Sequence, residues 1–316
     1  MAEIHPELAR VARWLPDVAL SDRSVKVLQW LTRRSFAGGV SKNVERRVLS
    51  VRAPGGRHAI ELFVYRSRAA PQRSGALLWM HGGGYVLGGP GQDAGRCAAW
   101  AEELGITVVA VRYRLAPQHP YPAGLEDCYA ALQWMHDNAD SLGIARDRIA
   151  VGGQSAGGGL AAALALLARD RDGAKPVFQL LSYPMLDDRT ALRDNIDERS
   201  FRLWNQRSNR YAWQAYLGRP PGTDPLEPYA APGRVRSLEG VAPAWIGVGT
   251  EDLFLDEDRA YERRLVECSV SCELFVVEGA YHGFDAVSPN ASVSRSYIDS
   301  QTRALARALS RAPSRP

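Results

Sequence analysis

Cysteine is scarce in this chain: four in 316 residues, Cys97, Cys128, Cys268 and Cys272, with no C-x-x-C pair among them. No zinc-ligand spacing results, and reduced thiols in the core or at the surface are the expectation. Long apolar runs are missing as well. Glu3, Glu7, Arg10, Arg13, Asp17 and Asp22 interrupt the opening segment, so no signal-peptide core forms there, and no later run is long enough to span a bilayer. A soluble cytoplasmic protein with no stable membrane insertion is expected. A net charge of +4 and a pI near 8.9 come from arginines dispersed beside acids rather than from a basic block, which argues against nucleic acid as a partner. There is no G-x-G-x-x-G ahead of a helix and no Lys-Ser or Lys-Thr phosphate loop, so neither cofactor nor metal is implied. No internal repeat is visible.

What is present suits one large globular domain with an accessory segment, at 46% hydrophobic and 23% charged residues. Leu8, Val11, Leu15, Val18, Val25, Leu28 and Leu31 recur at roughly helical spacing, predicting two amphipathic helices broken at Pro16. Residues 44–51 and 60–65 alternate like an antiparallel hairpin around the turn signal Pro54, Gly55, Gly56. From Ala76 onward the pattern becomes continuous apolar strands separated by helices, the mark of a parallel sheet covered on both faces. ALLWM, ITVVAV, IAVGG, FQLLSY, AWIGVG and ELFVV supply six strands, and the hairpin brings the sheet to eight. Helices are predicted over 92–104, 125–140, 156–170, 256–267 and 292–309. The fold class is therefore α/β, a mostly parallel eight-stranded sheet flanked by helices. Residues 187–219, rich in Arg, Asn and Trp, interrupt the alternation and are read as inserted cap helices. The expected division is an N-terminal helical cap segment at 1–42, a core at 43–186 and 220–311, and a frayed tail at 312–316.

Everything is organised around IAVGGQSAGGGL at 149–160, a buried strand running into a helix. Gly153, Ser155 and Gly157 make a G-x-S-x-G nucleophile elbow, where small residues let strand and helix close on a strained serine. A serine hydroxyl is too weak an acid to attack a carbonyl unaided, so it needs a base and a group to orient that base. His5 lies in the terminal segment, His58 in the hairpin turn, His119 among prolines and His136 on a helix face. His282, in GAYHGF after a strand, belongs at the carboxyl edge of the sheet, where functional crevices lie. Asp252, directly after AWIGVG, is the candidate orienting acid, with Glu251, Asp256, Glu257 and Asp258 as competitors. The developing oxyanion needs donors too. His81, Gly82, Gly83, Gly84 and Tyr85 follow ALLWM, and glycines there let the Gly83 and Gly84 N–H groups converge with that of Ala156. Tyr85, Leu87 and Tyr183 are the candidate pocket residues. Trp14, Trp30, Phe201, Trp204, Tyr211 and Trp213 are read mainly as packing.

HGGGY at 81–85, YRLAPQHPYPA at 113–123, GQSAGG at 153–158, DLFLDE at 252–257 and HGF at 282–284 together resemble the bacterial hormone-sensitive lipase family of α/β-hydrolases. The resemblance runs from about Ala76 to the C terminus, and the N-terminal helices are similar to that family's cap. It implies a serine carboxylesterase of short- to medium-chain acyl esters, with Ser155, Asp252 and His282 as triad and Gly83, Gly84 and Ala156 as oxyanion hole. A small-molecule ester is the implied partner, and a homodimer through the last strand and helix follows by analogy. Gln154 and Gln118 depart from the family, which usually carries an acid before the nucleophile and a glutamate in LAPE. The alternatives are a noncatalytic small-molecule receptor on the same scaffold, against which intact His282 argues, and an amidase or peptidase with the same triad.

Overall fold

The apolar runs after Ala76 form central strands because they are covered on both faces: every residue of Ser74–Met80 is buried. In the computed structural model, which describes residues 4–15, 19–33, 40–52, 58–194 and 196–310, the strands are β1 (Val44–Arg52), β2 (Ala59–Ser67), β3 (Ser74–Met80), β4 (Thr107–Arg112), β5 (Ile144–Gln154), β6 (Gln179–Ser182), β7 (Ala244–Glu251) and β8 (Cys272–Tyr281). They make one sheet in the order β1-β2-β4-β3-β5-β6-β7-β8. β2 pairs antiparallel with both β1 and β4, and all other neighbours are parallel. The order reverses around β3 and β5, the central pair that carries the HGGGY loop and the elbow.

Strand periodicity divides the core. Leu78 and Met80 of β3 pack on one face with Val151, Leu160 and Leu164, while Leu77 and Trp79 pack on the other with Ala150, Leu180, Trp245 and Tyr297. The helices are α1 (Pro6–Ala12), α2 (Asp22–Arg33), α3 (Ala94–Glu103), α4 (Ala123–Asp137), α5 (Ala139–Leu142), α6 (Ala156–Asp170), α7 (Gln206–Leu217), α8 (Leu255–Glu267), α9 (Phe284–Val287) and α10 (Ser292–Ser310). Helix α6 keeps its predicted bounds because its Ala- and Leu-rich sequence has high helix propensity and, through Ala168, is buried.

Several boundaries differ from the sequence reading. The helix expected over 92–104 opens as a 3-10 turn, Pro90–Asp93, and becomes α-helical only at Ala94. The one expected over 125–140 breaks at Asn138, which leaves helical geometry at ψ 20, and resumes as α5 before a left-handed Gly143. β5 starts five residues before IAVGG, and β8 runs past ELFVV to Tyr281, so His282 follows the strand directly. Among the described residues, 187–219 contain a 3-10 turn (Asp188–Leu192) and the one helix α7, capped by Asn205, whose side chain accepts from the Ser208 N–H at 2.8 Å. The expected break at Pro16, the turn at 54–56 and the tail at 312–316 lie outside the described residues. Among the described residues, no helix is long and apolar enough to cross a membrane.

Candidate active site

Four strand ends and one helix start build the site. β3 delivers His81, β5 delivers Ser155 into α6, β7 delivers Asp252 and β8 delivers His282, all at the carboxyl edge of the sheet. Ser155 sits at φ 55 and ψ −124, a backbone conformation that side chains rarely adopt. The elbow tolerates it because Gly153 and Gly157 are in direct backbone contact: a Cβ on Gly153 would collide with the Gly157 carbonyl, and one on Gly157 with the carbonyls of Met80 and His81. The turn is tied down by the Ser155 N–H donating to Ser182 O at 2.8 Å and by Met185 N–H donating to Ser155 O at 3.0 Å.

Three residues far apart in sequence join in one hydrogen-bonded line. His282 Nε2 lies 3.0 Å from Ser155 Oγ, and His282 Nδ1 lies 2.8 Å from Asp252 Oδ2. Asp252 is fixed from its other side, its Oδ1 accepting the Phe254 N–H at 3.0 Å. That assigns the imidazole tautomer: Nδ1–H donates to the carboxylate and Nε2 accepts from the serine. The competing acids point elsewhere. Glu251 accepts from Ser200 Oγ, Asp256 pairs with Arg193 at 2.7 Å, and Glu257 accepts the Leu186 N–H at 2.6 Å. Asp258 is buried, with neither carboxyl oxygen partnered among the described residues, and burial pushes its pKa well above the usual range. The other histidines are also accounted for: His5 caps α1, His58 pairs with Asp127 at 2.7 Å, His119 is exposed, and His136 sits beside Asp137 on α4.

The glycine loop runs directly beside Ser155, Gly82 lying against Gln154 Cγ and Ser155 Cβ. Gly83 and Gly84 have φ 126 and 61, and their N–H groups donate to no acceptor among the described residues. Ala156 is the first residue of α6, where a helix leaves its N–H without an intrahelical acceptor. Three unspent donors thus flank Ser155. The loop is held from behind by His81, whose ring stacks on Tyr113 at 4.3 Å and whose carbonyl accepts from Tyr113 Oη at 2.7 Å. Burial lowers the His81 pKa to about 4, so the ring is neutral and its Nδ1–H donates to Gly82 O at 2.8 Å. The sequence reading missed this role for Tyr113, although the residue opens the YRLAP motif.

The candidate pocket residues fare differently. Tyr85 is 2% exposed, its hydroxyl donates to Met185 O at 2.9 Å and its ring stacks on Tyr216, so it packs the loop and does not line open space. Tyr183 is equally buried and lies under the imidazole, its ring edge-on to His282 at 4.7 Å. Leu87 is half-buried against the core. Phe254 packs edge-on to His282 at 5.3 Å, and Trp204, read from sequence as packing, lies beside the same ring. Its indole is 6.3 Å from His282 and lies on Gly84. Trp213 packs as expected, but Trp14 and Trp30 do not: they are 83% and 62% exposed. Gln118 has a partner that explains it, exchanging reciprocal amide hydrogen bonds with Gln29 of α2 at 3.1 and 3.2 Å. No cluster of three or more His, Cys, Asp or Glu among the described residues could hold a metal ion.

Comparison with known proteins identifies the family. A family model described as alpha/beta hydrolase fold matches residues 77–286. Esterase LipI of Mycobacterium tuberculosis is 36% identical over 253 residues, 76% of this chain and 75% of that protein. Carboxylic ester hydrolase LipN of the same organism is 37% identical over 214 residues, 66% of this chain and 56% of that protein. Among solved structures, a bacterial heroin esterase superposes with a TM-score of 0.91 at 35% identity, covering 98% of this chain and 99% of its own. The chain belongs to the α/β-hydrolase family, in its hormone-sensitive-lipase-like branch.

Proposed function

We propose that this protein is a serine carboxylesterase that hydrolyses short- to medium-chain acyl esters through an acyl-enzyme. The observation that carries the reading is the unbroken line Asp252–His282–Ser155, with hydrogen bonds of 2.8 and 3.0 Å, ending among three N–H donors that are unspent among the described residues. Ser155 Oγ attacks the ester carbonyl while His282 Nε2 takes its proton, and Asp252 stabilises the imidazolium. Gly83, Gly84 and Ala156 donate to the tetrahedral oxyanion, the imidazolium protonates the leaving alcohol, and the same histidine then activates water to release the acid. The ester-hydrolase names of LipI, LipN and the heroin esterase support the reaction class. Residues 1–42 and 187–219 form the cap in this reading, supported by Trp204 over the oxyanion loop. Four unpaired cysteines support a cytoplasmic location, and the half-exposed edge strand β8 supports a homodimer to be checked by sedimentation.

The test is hydrolysis of p-nitrophenyl acetate and butyrate by the wild type and by Ser155→Ala. Wild-type turnover that the substitution abolishes is expected. Equal inactivity of both proteins would overturn the reading in favour of a binding protein, and faster cleavage of 4-nitroacetanilide than of the matched ester would favour an amidase.

A further inference from the structure

Beneath His282 lies a second polar chain that the reaction as written does not use. Asp93, at the end of the 3-10 turn before α3, accepts from Trp79 Nε1 at 2.8 Å through Oδ2 and from Gln154 Nε2 at 2.8 Å through Oδ1. Gln154 Oε1 lies 3.2 Å from Tyr183 Oη, and Tyr183 Oη lies 2.9 Å from Asp285 Oδ1. Asp285 Oδ2 in turn faces Arg96 at 3.4 Å, and Arg96 is braced by Gln301 at 3.0 Å. Asp93, Tyr183 and Asp285 are all at least nine-tenths buried. The chain ends against the machinery at two points: Gln154 is covalently next to Ser155, and the Tyr183 ring meets His282 edge-on at 4.7 Å.

We propose that Gln154 and Asp93 are a matched positioning pair, in which a neutral amide bridging the Asp93 carboxyl and the Tyr183 hydroxyl sets Tyr183 and through it the imidazole of His282. The inference rests on the catalytic assignment made above. In the orientation seen here the Gln154 amide donates to Asp93 through Nε2 and offers Oε1 as an acceptor to the Tyr183 hydroxyl, a division of roles that an ionised carboxylate cannot make. A carboxylate at 154 would instead stand 2.8 Å from Asp93, and two buried like charges at that spacing cannot both ionise. The charged and titratable groups facing Asp93 are Arg96 and Cys97 from α3, Asp285 from α9, Tyr65 from β2, and Tyr113 and Tyr183 from the loops after β4 and β6. Arg96 is the only cation among them and already serves Asp285. Burial, offset in part by the Trp79 hydrogen bond, pushes the Asp93 carboxyl up to about 7, so a negative neighbour is tolerated only while a proton is held between the two and not once the pH rises above that.

The pair can be inverted. With Asp93→Asn and Gln154→Glu combined, the amide now at position 93 accepts from Trp79 through its oxygen and donates through its nitrogen to the carboxylate now at position 154, whose other oxygen accepts from Tyr183. Wild type, both single variants and the double variant are compared for kcat and KM on p-nitrophenyl acetate between about pH 6 and pH 9, with Ser155 titrated by paraoxon in each. Gln154→Glu is expected to lose at least about tenfold in kcat with KM little changed, the loss deepening as pH rises, and the double variant to recover most of it with a flatter profile. A Gln154→Glu loss independent of pH, or a double variant no better than Gln154→Glu, overturns the pairing. If Gln154→Glu does not fold, the double variant alone decides: folded and active supports the pair, and unfolded overturns it. Failure of paraoxon to label the wild type would instead sink the catalytic assignment on which the inference stands.

Discussion

Gly84→Ala separates two costs that the glycine loop imposes. Gly84 sits at φ +61 with its Cα against the Trp204 indole, so an added methyl would collide with one ring atom and lie 3.0 and 3.1 Å from two others. The backbone cost of a side chain in the left-handed region is about 1–2 kcal/mol. With an unfolding entropy of roughly 2 cal/mol/K per residue, a chain this long loses only about 2–3 °C in Tm from it. The collision acts on the reaction instead. Trp204 is 8% exposed and its Nε1 contacts Asn209 Oδ1 at 3.4 Å, so the indole cannot swing aside and the Gly84 N–H is displaced. One misplaced oxyanion donor costs about a hundred- to a thousandfold in kcat. We expect that loss on p-nitrophenyl acetate with KM nearly unchanged, and we expect the same substitution to cost at least about tenfold less in a Trp204→Ala background. An equal Gly84→Ala penalty in both backgrounds would refute the collision, and wild-type kcat in the single variant would refute the donor.

Asp252→Asn is expected to lower kcat by about three to four orders of magnitude while binding is retained, because the amide stabilises the wrong imidazole tautomer; a loss under tenfold would remove Asp252 from the triad. Trp204→Ala should raise the rate on p-nitrophenyl hexanoate relative to the acetate, and an unchanged ratio would show that the indole does not bound the substrate. Asp258→Ala is expected to stabilise the fold by about 1–3 kcal/mol, since both oxygens are buried without partners among the described residues. The folded state keeps this carboxyl protonated after the unfolded chain has released its proton, so its contribution to stability falls as pH rises past about 4. Thermal melts at pH 4 and pH 8 should show the gain growing with pH, and a destabilised variant would reveal a partner for Asp258.

Much of the architecture was readable because it is local. The parallel strands appear as apolar runs and α6 as an alanine-leucine stretch, and each lies within a few residues of its predicted span. The ends that moved are those where apolar pattern stops before backbone pairing does. β5 begins at Ile144 through Ala-Arg-Asp-Arg, which pattern alone does not mark as strand, and β8 runs on through Glu278 and Gly279 to Tyr281. That Ser155, Asp252 and His282 meet was legible for a related reason: each directly follows a strand, so chain order and sheet topology together place it at one edge.

The pocket was not legible, because a side chain's surroundings there depend on which distant segment covers it. Tyr85 beside the glycine loop reads as a wall, yet Met185 and Tyr216 close over it; Trp204 reads as helix packing, yet the non-helical path of 196–205 lays it on Gly84. The two glutamines that depart from the family pattern follow the same rule. Gln118 is satisfied by another amide, Gln29, on a helix 89 residues away, and Gln154 by Asp93, 61 residues away on the far side of the loop. Each substitution is ordinary as a letter and specific as a pair, since what changed is the complement of donors and acceptors between two elements. The residue that answers a departure therefore has to be sought across the sheet edge, and Asp93, the buried acid 2.8 Å from the amide beside Ser155, is where Gln154 leads.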